Sequence, residues 1–309
     1  MKRIGLMGAA LALALLTASA GFAPASAAPA PPLEDHSAND AGVNIHYVAA
    51  GSGPLVVMIH GFPDYWATWK PMIATLSADH YRTAALDLRG YNLSDKPQGV
   101  IAYAMPNLIN DIAAVIKAEG RTSAIVIGHD WGAAIAWQVA INRPDLVDKL
   151  VIMAVPHPTT FAHEMATDPV QQKNSQYARN FQKEGAEKTL TAQGLAGWVK
   201  DPAEKPGYVE AFKRSDFAAM LNYYRANYPK SVGDPNAPPP PPVPPIKVPV
   251  LVIHGLKDTA LNAAGHSGTW DHVTADTTLL MIPAAGHFVQ HDAQDLVDRT
   301  VKDWLDQRR

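Results

Sequence analysis

The 309-residue chain contains no cysteine. Disulfides, cysteine nucleophiles and thiolate metal sites are excluded together. It also lacks an excess of either charge: 26 Lys and Arg stand against 29 Asp and Glu, for a net charge of −3. Nothing in that balance calls for a nucleic acid or an anionic membrane surface as partner. Charged residues are scarce at 18%, whereas hydrophobic residues reach 47%. That mixture excludes a disordered chain or a coiled coil and leaves enough apolar material for a sizeable core. No metal motif is present, because His163-Glu164 is not followed by the second histidine of H-E-x-x-H. No internal repeat is visible. By length the chain holds one or two domains, at about 150 residues each.

Only the N-terminus carries a long apolar run. Lys2 and Arg3 precede it, Ile4 to Ala20 form it, and Ala25-Ser26-Ala27 follows as an A-x-A cleavage site. This is the three-part layout of a secretory signal peptide, residues 1–27. An uncleaved anchor is the alternative, but the Ala-rich run is barely long enough to span a bilayer. The expectation is an exported protein, periplasmic or secreted, with no membrane association after cleavage. A tail over Ala28–Asp35 is expected to lack fixed structure.

Beyond it, β-rich runs alternate with helical patterns. Strands are expected at Val43–Val48, Leu55–His60, Arg82–Leu88, Ser123–Ile127, Leu150–Ala154, Val248–His254 and Thr277–Ile282. Continuous apolar runs such as LVVMI and VLVIH suit strands covered on both faces. Helices are expected at about Thr68–Asp79, Pro106–Glu119, Ala133–Asn142 and Ala293–Gln307. The alternation implies an α/β fold, a mostly parallel sheet with helices on both faces. It stops between about His157 and Val243, where the chain is polar, aromatic and helical in places. The organisation is therefore a core at 28–157, an inserted helical lid at 158–243 and a second core part at 244–309. The lid ends in DPNAPPPPPVPPIKVP, which favours a stiff polyproline II spacer.

Four short motifs carry chemistry, each just after an expected strand. Gly128-His129-Asp130-Trp131-Gly132 lies between a strand and a helical run. Small residues two places either side of Asp130 suit a strained strand-to-helix elbow, whose tip projects over the sheet edge. The helix behind it favours negative charge. Alternatively Asp130 would merely cap that helix. His60-Gly61-Phe62-Pro63 follows an earlier strand. Its loop can turn the Phe62 N–H toward the elbow, and with the Trp131 N–H form an oxyanion hole. Gly255-Leu256-Lys257-Asp258 and Gly286-His287-Phe288 follow two late strands. Strand ends on one edge of a parallel sheet converge on the ligand crevice. Asp130, Asp258 and His287 then form a nucleophile–acid–histidine set. Of the twelve histidines, His291 is the nearest rival to His287, while His60 and His129 suit scaffold roles within their motifs.

With these residues in place, the sequence resembles the epoxide hydrolases of the α/β-hydrolase fold. HGFPDYWATW, DLRGYNLSDKP, GHDWGAAIAW, VPHP, GLKD and GHFVQHD follow that family's pattern in order, from about Val43 to the C-terminus. One departure is Asn92, where the family often has glycine; asparagine tolerates left-handed geometry. The resemblance implies an aspartate nucleophile, Asp130, and two lid tyrosines that hold the epoxide oxygen. By similarity of the lid segments these are Tyr177 and Tyr224, with Tyr223 as the fallback for the second. It further implies attack by Asp130 on an epoxide carbon, then water activation by His287 oriented by Asp258. The product would be a vicinal diol and no cofactor would be needed. The substrates would be a small-molecule epoxide and water. A haloalkane dehalogenase shares the aspartate and the water step. Such enzymes usually carry Asn at the position of Phe62 and lack the tyrosine pair. A non-catalytic binding protein on the same scaffold would be expected to have lost Asp130, Asp258 or His287, and all three are present.

Overall fold

A computed structural model describes residues 31–232 and 243–309. The signal-peptide segment and most of the proline-rich run lie outside these residues. The described residues build one sheet from strands β1 (Glu34–Asp40), β2 (Val43–Gly51), β3 (Leu55–Ile59), β4 (Arg82–Leu86), β5 (Ala124–His129), β6 (Val147–Met153), β7 (Val250–Gly255) and β8 (Thr277–Ile282). Their order across the sheet is β1-β2-β4-β3-β5-β6-β7-β8. Pairing is antiparallel on both sides of β2 and parallel from β4 onward.

Strand β3 shows why the sheet sits between two layers. All five residues of LVVMI are buried. Val57 and Ile59 join the core on one face, Val56 and Met58 the core on the other. Period-two side chains thus have no solvent face to occupy. The helices α1 (Lys70–Ala78), α2 (Met105–Ala118) and α3 (Trp131–Asn142) follow β3, β4 and β5. In α2, Leu108, Ile109, Ile112, Val115 and Ile116 recur at helical spacing and are all buried. Full burial of such a side chain contributes about 1.5–3 kcal/mol.

Between β6 and β7 the chain leaves the sheet and forms α4 (Pro158–Thr167), α5 (Pro169–Asn174), α6 (Gln176–Phe181), α7 (Ala192–Leu195), α8 (Lys205–Arg214) and α9 (Phe217–Asn227). It closes with α10 (Val289–Asp292) and α11 (Gln294–Asp306). Strand β1 corrects one expectation: Glu34 and Asp35 are not part of an unstructured tail but pair with Ala49 and Val48. Backbone hydrogen bonding holds this edge strand, with Glu34 bridging to Arg82 at 2.9 Å. Of its side chains only Ala38 is buried, so it carries no apolar alternation for a sequence reading to find.

The sheet order reverses between β3 and β5, since the chain steps from β3 to β4 on one side and later to β5 on the other. Such a switch point opens a crevice at the carboxyl ends of the strands.

Candidate active site

Asp130 sits at that crevice, between the end of β5 and the start of α3, with φ 51° and ψ −121°. A non-glycine residue at positive φ is strained, and the surroundings hold it there. The flanking glycines explain how. A Cβ on Gly132 would lie 2.0 Å from the Ile59 carbonyl oxygen, and one on Gly128 2.3 Å from that of Gly132. Helix and strand cross too closely for any side chain at either position.

The carboxylate has two unlike oxygens. Oδ1 accepts from the Phe62 N–H at 2.7 Å. Oδ2 lies 3.3 Å from His287 Nε2. Among the described residues the only backbone amide bonded to this carboxylate is that of Phe62. Trp131 opens α3, so its amide is one of the unpartnered N–H groups of a helix start. On its other side His287 binds Asp258 Oδ2 through Nδ1 at 2.7 Å. Asp258 is itself fixed: Oδ1 accepts from the Ala260 and Leu261 amides at 2.7 and 3.0 Å. Its side chain is fully buried, whereas that of His287 is 16% exposed. The three residues named from the sequence thus lie in one line, joined by a hydrogen bond from His287 to Asp258 and a charge contact from His287 to Asp130.

Their charges support one another. Burial works against the charge on Asp130, but His287 and the Phe62 N–H outweigh it and hold the carboxyl below the ordinary value. Asp258 behaves in the same way beside His287. Burial pulls the His287 pKa down, yet the two carboxylates raise it to about 10. His129, behind the elbow, donates from Nε2 to the His287 carbonyl at 2.9 Å and tethers its backbone. His60 accepts from the Leu88 N–H at 3.0 Å through Nε2, so Nδ1 carries its proton toward the Gly61 carbonyl. Both histidines are scaffold. His291 bonds Thr68 Oγ1 at 2.7 Å and has no place in the line.

A cavity of about 260 Å³ opens over Asp130, and its wall includes Trp131, Trp137, Phe161, Tyr177, Tyr224 and Tyr228. Tyr177 comes from α6 and Tyr224 from α9, their rings 6.2 Å apart. Burial pushes both hydroxyls well above their usual pKa, so they remain protonated donors. Tyr223, the fallback, is excluded geometrically: its hydroxyl donates to the Arg89 carbonyl at 2.8 Å. Phe62 packs edge-on to Tyr224 at 5.5 Å and against Phe181 at 5.3 Å. Asn92, the departure in sequence, has φ 38° and bonds both Asp87 and Arg214.

Sequence reasoning did not find Phe161, Trp137, Tyr228 or Leu261 on the wall. It also passed over Asp64, a fully buried carboxyl that accepts from the Tyr65 N–H. Burial raises its pKa well above the usual value. The signal available was its place in HGFPDYW. Among the described residues no three His, Cys, Asp or Glu side chains form a metal-holding group.

Residues 54–294 match the family model for the alpha/beta hydrolase fold. The chain is 34% identical over 282 residues to the AB hydrolase superfamily protein YfhM of Bacillus subtilis, covering 86% of this chain and 96% of that one. It is 32% identical over 283 residues to epoxide hydrolase 1 of Caenorhabditis elegans, covering 85% and 68%. The crystal structure of a Bacillus megaterium epoxide hydrolase in complex with an inhibitor superposes with a TM-score of 0.79 at 33% identity, over 88% of this chain and all of that one. The likeness runs through core and lid alike, and on it the chain belongs to the α/β-hydrolase fold family, among its epoxide hydrolases.

Proposed function

We propose that this hydrolase opens an epoxide to a vicinal diol through an ester of Asp130. The observation that carries the reading is the doubly held carboxylate under a tyrosine-lined cavity: Oδ1 on the Phe62 N–H, Oδ2 beside His287. Oδ2 attacks an epoxide carbon while Tyr177 and Tyr224 donate to the ring oxygen. Such acid assistance is typically worth about 10²–10⁴-fold. Forming the ester removes the negative charge of Asp130. One of the two carboxylates that raise His287 is then gone, so the imidazolium gives up its Nε2 proton to the alkoxide left by ring opening, and the neutral imidazole can take one from water. Asp258 holds its orientation. The Phe62 amide, joined by that of Trp131, stabilises the oxyanion of the second step; loss of one such donor commonly costs about 2.7–4 kcal/mol. Phe62 carries no side-chain donor for a halide and packs against Phe181 and Tyr224, and this favours the epoxide reading over the dehalogenase.

His287→Gln tests the ester. The variant should still be alkylated but fail to activate water. Intact-mass spectrometry after addition of an epoxide should show one added substrate mass, mapped by peptide analysis to Asp130. Turnover in the unmodified enzyme with no adduct in the variant would mean direct attack by water. We further propose that the protein is exported, on the charge, apolar run and A-x-A site of residues 1–27.

A further inference from the structure

A second cavity, of about 420 Å³, meets the catalytic line from another direction. His287 is on its wall, with Trp198, Lys200, Glu204, His291 and Asp292 among its neighbours. The wall of the first cavity includes Asp130 but not His287, and the two share no residue. The nucleophile therefore faces one cavity and the base the other. We infer that the second cavity is the route by which the hydrolytic water reaches His287, separate from the cavity that admits the epoxide. The inference rests on the function proposed above and assigns a new path to its second step.

The walls differ as such a division requires. The first is mostly aromatic and aliphatic, and once the ester forms, the alkyl group fills its floor beside Asp130. Water displaced there has few polar partners to hold it. The second carries a lysine, two aspartates, a glutamate and two histidines. Its volume exceeds the roughly 30 Å³ per molecule of liquid water several times over, and its polar groups can bind what enters. Lys200 and Glu204 are exposed, so the mouth opens to solvent, while the inner end is His287. The opening is also braced. Trp198 stacks on Phe288 at 3.7 Å with the rings 3° from parallel, and its indole N–H donates to the Pro63 carbonyl at 2.9 Å. Lys200 pairs with Asp292, whose other oxygen accepts from the Gly286 N–H at 2.8 Å. The chain on either side of His287 is thus pinned to the lid around the cavity. In the step served, the water oxygen bonds to Cγ of the ester and its proton goes to His287 Nε2. The Cγ–O bond to the alkyl group then breaks, and that proton passes to the departing alkoxide.

Glu204→Trp and Gln294→Trp each place an indole at the mouth from a different element, α11 or the residue before α8, without touching the catalytic line. Rapid mixing with an aryl epoxide, acid quenching and intact-mass spectrometry read ester formation and ester decay separately. Formation should stay within about twofold of the unmodified enzyme and decay should slow by about tenfold or more; Glu204→Gln should restore decay. Decay at the unmodified rate in a folded variant, or formation slowed as much as decay, overturns the route. A second measurement needs no variant. Esters of a small aliphatic and a bulky aryl epoxide should decay at rates within about threefold in the unmodified enzyme. Decay that falls steeply with bulk would mean that water shares the epoxide's cavity. Ester formation is read first in every arm, so an unmodified enzyme that forms none with any epoxide fails the proposed function, and the route with it.

Discussion

At the residue scale the proposed reaction turns on Tyr177 and Tyr224, which would meet the epoxide oxygen with their hydroxyls. An opening epoxide develops charge on an oxygen that must be met by a donor, whereas a halide leaves as a stable anion. The double variant Tyr177→Phe, Tyr224→Phe keeps both ring bodies against Phe181 and each other and removes only the hydroxyls. It is expected to lose nearly all epoxide opening, by about 10²-fold or more. Because the two donors share one oxygen, the single variants should be partly active and non-additive. Activity on a bromoalkane, measured beside it, should fall much less. Unchanged epoxide turnover would reduce both tyrosines to lid packing. The line of Asp130, His287 and Asp258 was legible at this scale because each of the three follows an apolar strand within a short glycine-containing motif. Phe161 and Tyr228 were not, because which helix face meets the cavity depends on how α4 and α9 pack, and local spacing does not encode that.

Elements were legible in proportion to the apolar surface they bury. Every expected strand lies at β2 to β8, with ends displaced by a few residues, because buried runs of valine, isoleucine and leucine have no other use in a short segment. Strand β1 was illegible for the opposite reason: EDHSAND buries almost nothing and is held by its backbone and by polar pairs, including His46 with Asp35 at 3.0 Å. The helical pattern of 294–306 was plain from Val297, Val301, Trp304 and Leu305. The N-terminal segment is the element whose fate has to be measured. If it is a cleaved signal peptide, the exported protein should begin near Ala28, and N-terminal sequencing reads this directly. Residues 1–20 retained in that protein would identify an anchor.

Over the whole molecule, buried histidines should set the acid limit of stability. His60, His129, His157 and His266 are essentially without solvent exposure. Burial lowers their pKa from 6.5 to about 4, 3, 3 and 3; His272 adds to the effect at His157, His254 at His266 and His287 at His129. The folded state keeps them neutral, whereas the unfolded chain takes up their protons near pH 6.5. Unfolding therefore binds protons below that pH. The stability that these four lend is complete above about 6.5 and is lost as the pH falls toward about 4 for His60 and about 3 for the other three, at up to about 1.4 kcal/mol per pH unit for each group. His287 has the opposite sign. Its raised pKa contributes stability that is full below 6.5 and lost as the pH rises toward about 10. Urea midpoints followed from pH 7.5 to 4.5 should decline increasingly steeply below about 6.5. A flat profile over that range would show these histidines to be protonated within the fold.

In the proposed mechanism the unlike oxygens of Asp130 would give the enzyme an isotopic memory. There the oxygen that forms the ester is Oδ2, and it would depart with the diol when water attacks Cγ, so the water oxygen would stay behind in the carboxylate. In ¹⁸O-water the first diol released should carry no label and the second should carry it. Oδ1, held by the Phe62 N–H, is spared as long as the carboxylate does not turn over between cycles. The sharpness of the change from the first product to the second therefore times the rotation of a single buried side chain against turnover.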